Sequence, residues 1–468
     1  MIKRIVLIES GVTNPGSFVY HVYPPHGLMY IAACLRAQRP EIEIKIFDLM
    51  IRKQPETAIL EELKEFSPDL AGIHAMHFQA KFAHRAAAMI KDHLKVPVVI
   101  GGPYPSSDAE TALADANIDL AVRGEGEITF VELVERLDRG QDLSGLAGLS
   151  HRKDGQLTNE QDRELIADLD QIPFPAWDLI ELEKFFDWKV LVQNELRWQK
   201  EVATIFTSRA CPYGCIFCHN MFGKKFRARS PENVVSEMRL LHDKYGVREI
   251  HIIDDCFNFE LERAKQICRL IIASGLDLKL AFPNGIRGDR LDRELVDLLK
   301  AAGVYKLTVG VESGSERVQK MIRKNIDLEK LKANIEMVAK AGIFVHGFFM
   351  MGFPGETAAE IEQTIAFAVS SKLHTAGFAL LKPFPKTRVR EIAEEMGKRV
   401  SFESEDATYT QLACNLSQVS DEQLLAYHRS AYWKFHFSPS RLWRIFWATP
   451  RKRMLPRVFW AHLRTKFL

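Results

Sequence analysis

The sequence predicts an α/β protein in two parts: a Rossmann-like doubly wound sheet, then a TIM-type partial (β/α)6 barrel followed by a helical C-terminal cap. Three observations predict it. Short apolar runs alternate with amphipathic stretches between residues 3 and 122, the alternation resumes at 202 after a proline-stiffened connector, and small or polar residues gather just after the apolar runs in both parts. Strand and helix alternating at this pitch pair in parallel through helical crossovers, and such sheets bind ligands beyond the carboxyl ends of their strands.

In the first part, strands are expected at 3–8, 43–48, 70–74, 96–100 and 120–122. Helices are expected at 27–37, 55–66, 78–93 and 106–115, the first with Leu28, Ile31, Ala32 and Leu35 on one side. Residues 140–172 turn polar, with Asp154-Gly155 marking a hairpin, and Pro173 and Pro175 then disfavour helix. Residues 179–200 mix Phe185, Phe186, Trp188 and Trp198 with charge and fit either a substrate entrance or interdomain packing.

The second alternation places strands at 202–207, 249–254, 279–282, 306–311, 344–350 and 376–381. Its helices fall at 231–245, 261–274, 292–302, 316–320, 328–341 and 358–371. Beyond it, 388–398 and 421–437 read as helices, and Leu455, Phe459, Leu463 and Phe467 recur every four residues among basic side chains. That last segment fits an interfacial helix on anionic lipid as well as a helix packed on the protein. The expected domains are 1–170, 171–200, 201–385 and 386–468.

A chain of 468 residues exceeds one ordinary core. Its 47% apolar and 26% charged content describes a folded chain, and a formal charge of +2 gives no global field for nucleic acid. The basic character is local: Ser440 to Leu468 holds eight Lys or Arg and no Asp or Glu. Seven cysteines, three of them clustered, do not form the even framework of a secreted domain, so a reduced cytoplasm is expected. The apolar opening is too short for a signal-peptide core, and no uninterrupted run of ~18 apolar residues, the length that spans a bilayer, is present, so no membrane span is expected.

Cys211, Cys215 and Cys218 place three thiols within eight residues at the end of the run 202–207, in a loop tightened by Pro212 and Gly214. Three convergent thiolates can hold an iron-sulfur cluster and leave one iron open. Structural zinc wants four closed ligands, and only His219 is nearby as a fourth.

This C-x-x-x-C-x-x-C pattern, with Phe217 before the third cysteine, resembles the signature of radical S-adenosylmethionine (SAM) enzymes. In that family the open iron chelates SAM, and a reducing electron cleaves it to methionine and a 5′-deoxyadenosyl radical. The resemblance implies a 4Fe-4S cluster on the three cysteines, with Phe217 near the adenine. Glu312-Ser313-Gly314 resembles the family's SAM-contacting element, and Met351-Gly352-Phe353-Pro354-Gly355-Glu356-Thr357 resembles its G-x-P-G-E-T turn. Asp254 ends the second strand as either a helix cap or a site residue. Arg287 follows the third as a fork for a carboxylate. Cys256 and Cys268 read as fillers, with Cys256 near the mouth.

Tyr23-Pro24-Pro25-His26-Gly27-Leu28, Pro68-Asp69-Leu70, Gly101-Gly102-Pro103 and Arg123-Gly124-Glu125-Gly126-Glu127, in that order, resemble the cobalamin-binding domain of a large radical SAM subfamily. Gly101, Gly102, Gly124, Glu125 and Gly126 are the implied cobalamin contacts. The D-x-H-x-x-G element that places histidine on cobalt is missing: His21 lacks the preceding acid, and His26 reads as a helix-entry turn. Cobalamin without a protein histidine ligand is therefore expected, with His74, Met76, His77 and Tyr104 facing the corrin or packing the core.

The resemblance implies C-methylation of an unactivated carbon through the cluster, SAM and methylcobalamin. Ring formation or rearrangement with the same cofactors is the alternative, and a non-catalytic cobalamin or zinc module is a remote one. The implied partners are a small molecule, lipid-like or a natural-product intermediate, and an electron donor such as flavodoxin or ferredoxin. Contact with the inner membrane face through the tail is a further expectation.

Overall fold

The computed structural model describes residues 1–11, 22–52, 55–153, 155–187, 197–218, 221–398, 400, 411–449 and 452. His21, Trp188, His219 and the segment 455–467 lie outside the described residues. Two compact units divide near residue 190, with 221–223 grouped with the first.

In the first unit, β1 (Arg4–Glu9), β2 (Glu43–Asp48), β3 (Leu70–His74), β4 (Val98–Gly101) and β5 (Leu120–Val122) form a parallel sheet in the order β2-β1-β3-β4-β5. The hairpin of β6 (Leu149–Lys153) and β7 (Gln156–Asn159) extends it antiparallel beyond β5. Side chains of β1 alternate between two cores, as a strand's two-residue period requires. Val6 and Ile8 pack with Ile73, Phe82 and Ile90, while Ile5 and Leu7 pack with Leu28, Leu35 and Val131. Both faces of β1, β3, β4 and β5 are covered, so these strands read as nearly continuous apolar runs, whereas the edge strand β2 keeps Glu43 and Lys45 exposed.

Two features depart from expectation. The helix expected at 106–115 splits at Asp108, whose carboxylate accepts from Thr111 N (3.1 Å) and so starts a new helix, Ala109–Ala114. Gly126–Asp138 is a helix that the sequence reading did not place. It buries Phe130, Val131 and Val134, and it begins at Gly126, inside the glycine-rich stretch after β5.

The second unit carries β8 (Val202–Ile205), the short antiparallel pair β9 (Ser208–Arg209) and β10 (Arg227–Ala228), then β11 (Glu249–Ile252), β12 (Lys279–Ile286), β13 (Val304–Glu312), β14 (Phe344–Met351) and β15 (Thr375–Leu380). The main sheet runs β8-β11-β12-β13-β14-β15, each pair parallel, which is the partial barrel expected. β12 is longer than the expected 279–282. Gly285 at φ +102° and a register shift between Phe282 and Ile286 carry the strand through a bulge, and Asn284 Nδ2 donates to Ile253 O at 2.6 Å.

At the amino ends of the strands, Glu249 is fully buried. Its Oε1 accepts from Tyr305 Oη (2.7 Å) and lies 2.7 Å from His251 Nε2, while its Oε2 accepts from Gln199 N (2.5 Å). Beyond β15, helix Asp421–His436 starts at a Ser420 capping box and seals the edge strand. Tyr432 Oη accepts from Phe378 N and donates to Phe378 O (both 3.0 Å), and His428 Nε2 donates to the same carbonyl (2.9 Å). A further helix, Pro439–Ala448, follows where the sequence reading had placed none.

Candidate active site

The three-cysteine loop leaves the carboxyl end of β8 through Ala210, which is held at φ +72°. A non-glycine residue there costs about 1–3 kcal/mol and persists only where its surroundings enforce it. They do so through Ile216, which is buried among Val318, Ile322, Phe353 and Val389. Its N–H donates to Ile322 O (3.1 Å) and its carbonyl accepts from Val389 N (3.0 Å). Cys218 N donates to Cys215 O (3.3 Å), which turns the second and third cysteines together. The Cys256 thiol beside Cys211 and the Cys218 thiol beside Cys215 hold both of those below the ordinary thiol range, and Lys224 and Lys324 act in the same sense. Cys218 is pushed the opposite way, by its hydrogen bond to the Cys215 thiolate and by burial, so that pair shares a proton that a ligated iron would replace. Thiolate is the ligating form, and three thiols converging at this spacing fit an iron-sulfur cluster.

Opposite the loop, β13 ends on Glu312, also in the left-handed region at φ +64°. Its Oε1 accepts from Lys324 Nζ at 2.7 Å, and both side chains are nearly buried. Burial opposes the lysine's charge, but Glu312 and the neighbouring thiolates outweigh it and raise the pKa above the ordinary value. Lys324 Nζ lies 6.0 Å from the centre of the Phe217 ring. The sequence reading missed Lys324, which sits in no motif. Its only local mark is two left-handed neighbours, Arg323 and Asn325.

Arg287 is brought to the same place, but its fork is already engaged. Nε and Nη2 donate to Asp289 at 2.8 and 2.7 Å, Nη1 donates to Lys324 O at 3.2 Å, and the guanidinium lies 4.0 Å from the centre of the Tyr213 ring. Arg287 thus ties β12 to the Lys324 turn instead of presenting a free fork.

Asp254 is not the cap of the following helix, which begins only at Leu261. It accepts from Thr207 N (2.6 Å), Thr207 Oγ1 (2.5 Å) and Ser208 Oγ (2.7 Å), so it buttresses the chain entering the cysteine loop. Ser313 is fully buried, its Oγ 3.1 Å from Thr364 Oγ1, and Gly314 N donates to the same hydroxyl at 2.9 Å. A Cβ on Gly314 would meet Gln363 O at 2.7 Å, which explains the glycine by helix contact.

In the turn after β14, Gly352 sits at φ +95°, and Glu356 Oε2 accepts from Gly352 N (2.8 Å) and Phe353 N (3.2 Å). Phe353 brings this turn, with Pro354, to the loop, its ring 5.7 Å from that of Phe217. Glu356 is fully buried and its Oε1 has no hydrogen-bond partner; burial pushes its pKa up to about 7.

In the first unit, the glycines predicted for cobalamin follow β4 and β5. Gly102 (φ +98°) packs against His74, where a Cβ would fall 2.5 Å from the ring, whereas a Cβ on Gly124 (φ +72°) would meet nothing within 4 Å. A bulky planar ligand can approach that open backbone. A Cβ on Gly101 would meet only Val122 O, at 3.9 Å, Gly126 starts the helix over Ile31, and Glu125 Oε2 accepts from Ile166 N at 2.8 Å, tying down the connector.

Of the histidines, His74 Nδ1 lies 2.7 Å from Glu9 Oε2, His77 Nε2 lies 2.7 Å from Ser107 Oγ, and Tyr104 Oη lies 3.0 Å from His84 Nε2. Met76 is partly exposed just beyond β3. His26 opens helix His26–Gln38 with its ring edge on Trp177. These histidines are engaged within the protein, and it is the open backbone at Gly124 that fits the approach of a corrinoid.

The family model described as the Radical SAM superfamily matches residues 205–368, and that of a B12 binding domain matches 17–134. The chain is 33% identical over 423 residues to an uncharacterised methyltransferase of Pyrococcus horikoshii, covering 90% of this chain and 89% of the relative. It is 31% identical over 426 residues to the cytidylyl-2-hydroxyethylphosphonate methyltransferase of Streptomyces wedmorensis, covering 79% and 78%. In fold it is similar to TsrM, a radical SAM methyltransferase from Kitasatospora setae solved with cobalamin and a 4Fe-4S cluster bound. The TM-score is 0.70 at 19% identity, over 94% of this chain and 82% of that one.

Proposed function

The chain belongs to the cobalamin-dependent radical SAM methyltransferase family, and on that premise we propose that it methylates an unactivated carbon of a small molecule. The observation that carries this reading is the meeting of the three-cysteine loop, Phe217, the Glu312–Lys324 pair and the Gly352 turn at the carboxyl ends of one parallel sheet. When bound, the cluster and SAM supply a radical that removes a substrate hydrogen, and the corrinoid carries the methyl group.

In this reading Cys211, Cys215 and Cys218 hold the cluster, and the strain at Ala210 and Ile216's burial fix their spacing. Phe217 offers a ring face to the adenine. Glu312, oriented by Lys324, is the acceptor for the SAM amino group. Gly352 and Pro354 shape the turn beside it, while Asp254, Ser313 and Arg287 hold the three strand ends in register. Gly101, Gly102, Gly124, Glu125 and Gly126 line the corrinoid's approach. A one-electron donor such as flavodoxin or ferredoxin and a lipid-like or natural-product substrate complete the reaction in the cytoplasm. Positioning of this kind is the protein's main contribution, since the cofactors carry the hard chemistry.

The test is anaerobic reconstitution with methyl-labelled SAM and candidate substrates. Label in the product, with SAM cleavage abolished in Cys211→Ala, is the expected result. An unlabelled product with a new ring would overturn methyl transfer, and cleavage surviving in Cys211→Ala would overturn the cluster assignment.

A further inference from the structure

Helix Pro439–Ala448 shows water a face that soluble proteins ordinarily bury. Leu442, Trp443, Phe446 and Trp447 are 45, 65, 41 and 61% exposed, and at 100° per residue they share one side of the helix. Every exposed Phe or Trp among the described residues falls between Trp433 and Trp447. Scattered exposed apolar residues need no explanation, but a contiguous set marks a docking surface.

The opposite side is clamped. Arg441, almost fully buried, donates through Nη2 to Val369 O at 2.7 Å and lies 3.5 Å from the centre of the Phe435 ring. The helix is therefore held on the second unit with its aromatic face outward. From Gln423 to Leu468 the chain has ten Lys or Arg and no Asp or Glu. Lys452 Nζ lies 4.8 Å from the Phe446 ring and 4.4 Å from that of Trp447, placing a cation at the edge of the apolar face.

We infer that this face docks on an anionic lipid surface, with the indoles of Trp443 and Trp447 at the headgroup boundary and the Lys452 ammonium against lipid phosphates. Tryptophan prefers that boundary, where its ring is apolar and its N–H is wet, and an amphipathic helix with flanking cations binds anionic lipid through apolar burial plus charge. Among the described residues no helix is long and apolar enough to cross a membrane, so the contact is peripheral. A second copy of the chain would cover the apolar face as well, but Lys452 at its edge would then approach an identical cation, in a stretch of sequence that supplies no carboxylate to pair with it. Charge therefore selects lipid.

The experiment uses the full chain with phosphatidylcholine vesicles made with or without phosphatidylglycerol. Flotation with the phosphatidylglycerol vesicles, a blue shift of tryptophan emission, and weakening by salt are expected. Trp443→Ser/Trp447→Ser should lower the partition coefficient by about tenfold or more, and Lys452→Glu should lower it only on the anionic vesicles. Both indoles are more than half exposed, so unchanged circular dichroism is expected of the variants. Failure to float, or flotation undiminished in the double tryptophan variant, would overturn the inference. A light-scattering dimer that the same double variant converts to monomer would also overturn it, assigning the face to a second copy.

Discussion

Lys324 and Glu312 form a nearly buried ion pair, and removing one partner of such a pair leaves an uncompensated charge worth about 3–5 kcal/mol. Lys324→Met should therefore destabilise the apoprotein by about that amount, and Lys324→Met/Glu312→Gln by clearly less than the sum of the single changes, read by urea denaturation. Additive losses would mean the two side chains do not act as a unit.

Glu356 makes a pH prediction. Its carboxyl pKa is raised to about 7 from 4.5, chiefly by burial, so the folded state holds the proton more tightly than the unfolded one. Stability from this group is full below about pH 4.5 and declines by about 3 kcal/mol as pH rises through 7. Glu356→Gln cannot titrate, so its stability relative to the parent should improve by that amount between pH 5 and 8, and parallel curves would refute the assignment.

At this scale the sequence was legible where spacing carries chemistry, as in the cysteine triplet, and illegible where chemistry depends on folding. Nothing in the order of residues shows that Lys324 returns to Glu312, that Arg287 spends its fork on Asp289, or that Asp254 reaches back to Thr207.

Elements were legible wherever one period dominated. The six strands of the second unit's main sheet and the five parallel strands of the first are read from short, largely apolar runs, because most of their side chains are buried. Helix Gly126–Asp138 escaped because its amino end lies in a glycine-rich run that reads as loop, and the extension of β12 escaped because Asn284-Gly285 reads as a turn until the bulge is seen. Edge protection was also hidden, since the sequence marks Tyr432 only as one aromatic among several. Tyr432→Phe removes the hydroxyl that serves both main-chain groups of Phe378 and should cost about 1–3 kcal/mol. Faster amide exchange confined to β15 is the expected signature, and unchanged protection at Phe378 would show the strand sealed by packing alone.

At the scale of the molecule, the two units have separate cores: the thiol loop rests on residues of the second, and the glycine-lined strand ends belong to the first. No residue proposed for the cluster is also proposed for the corrinoid. Losing the cluster should therefore leave the corrinoid site folded. Cys215→Ala reconstituted anaerobically should fall from about four irons per chain to nearly none while keeping its cobalt. The converse is also expected. Gly124→Val places a β-branched side chain in the left-handed conformation at φ +72°, at a position with open space around it, where strain and bulk act on the ligand's approach and not on the core. That variant should lose cobalt and keep iron. If either change strips both metals, the two centres assemble as one cooperative structure, and the independence argued from their separate cores is wrong.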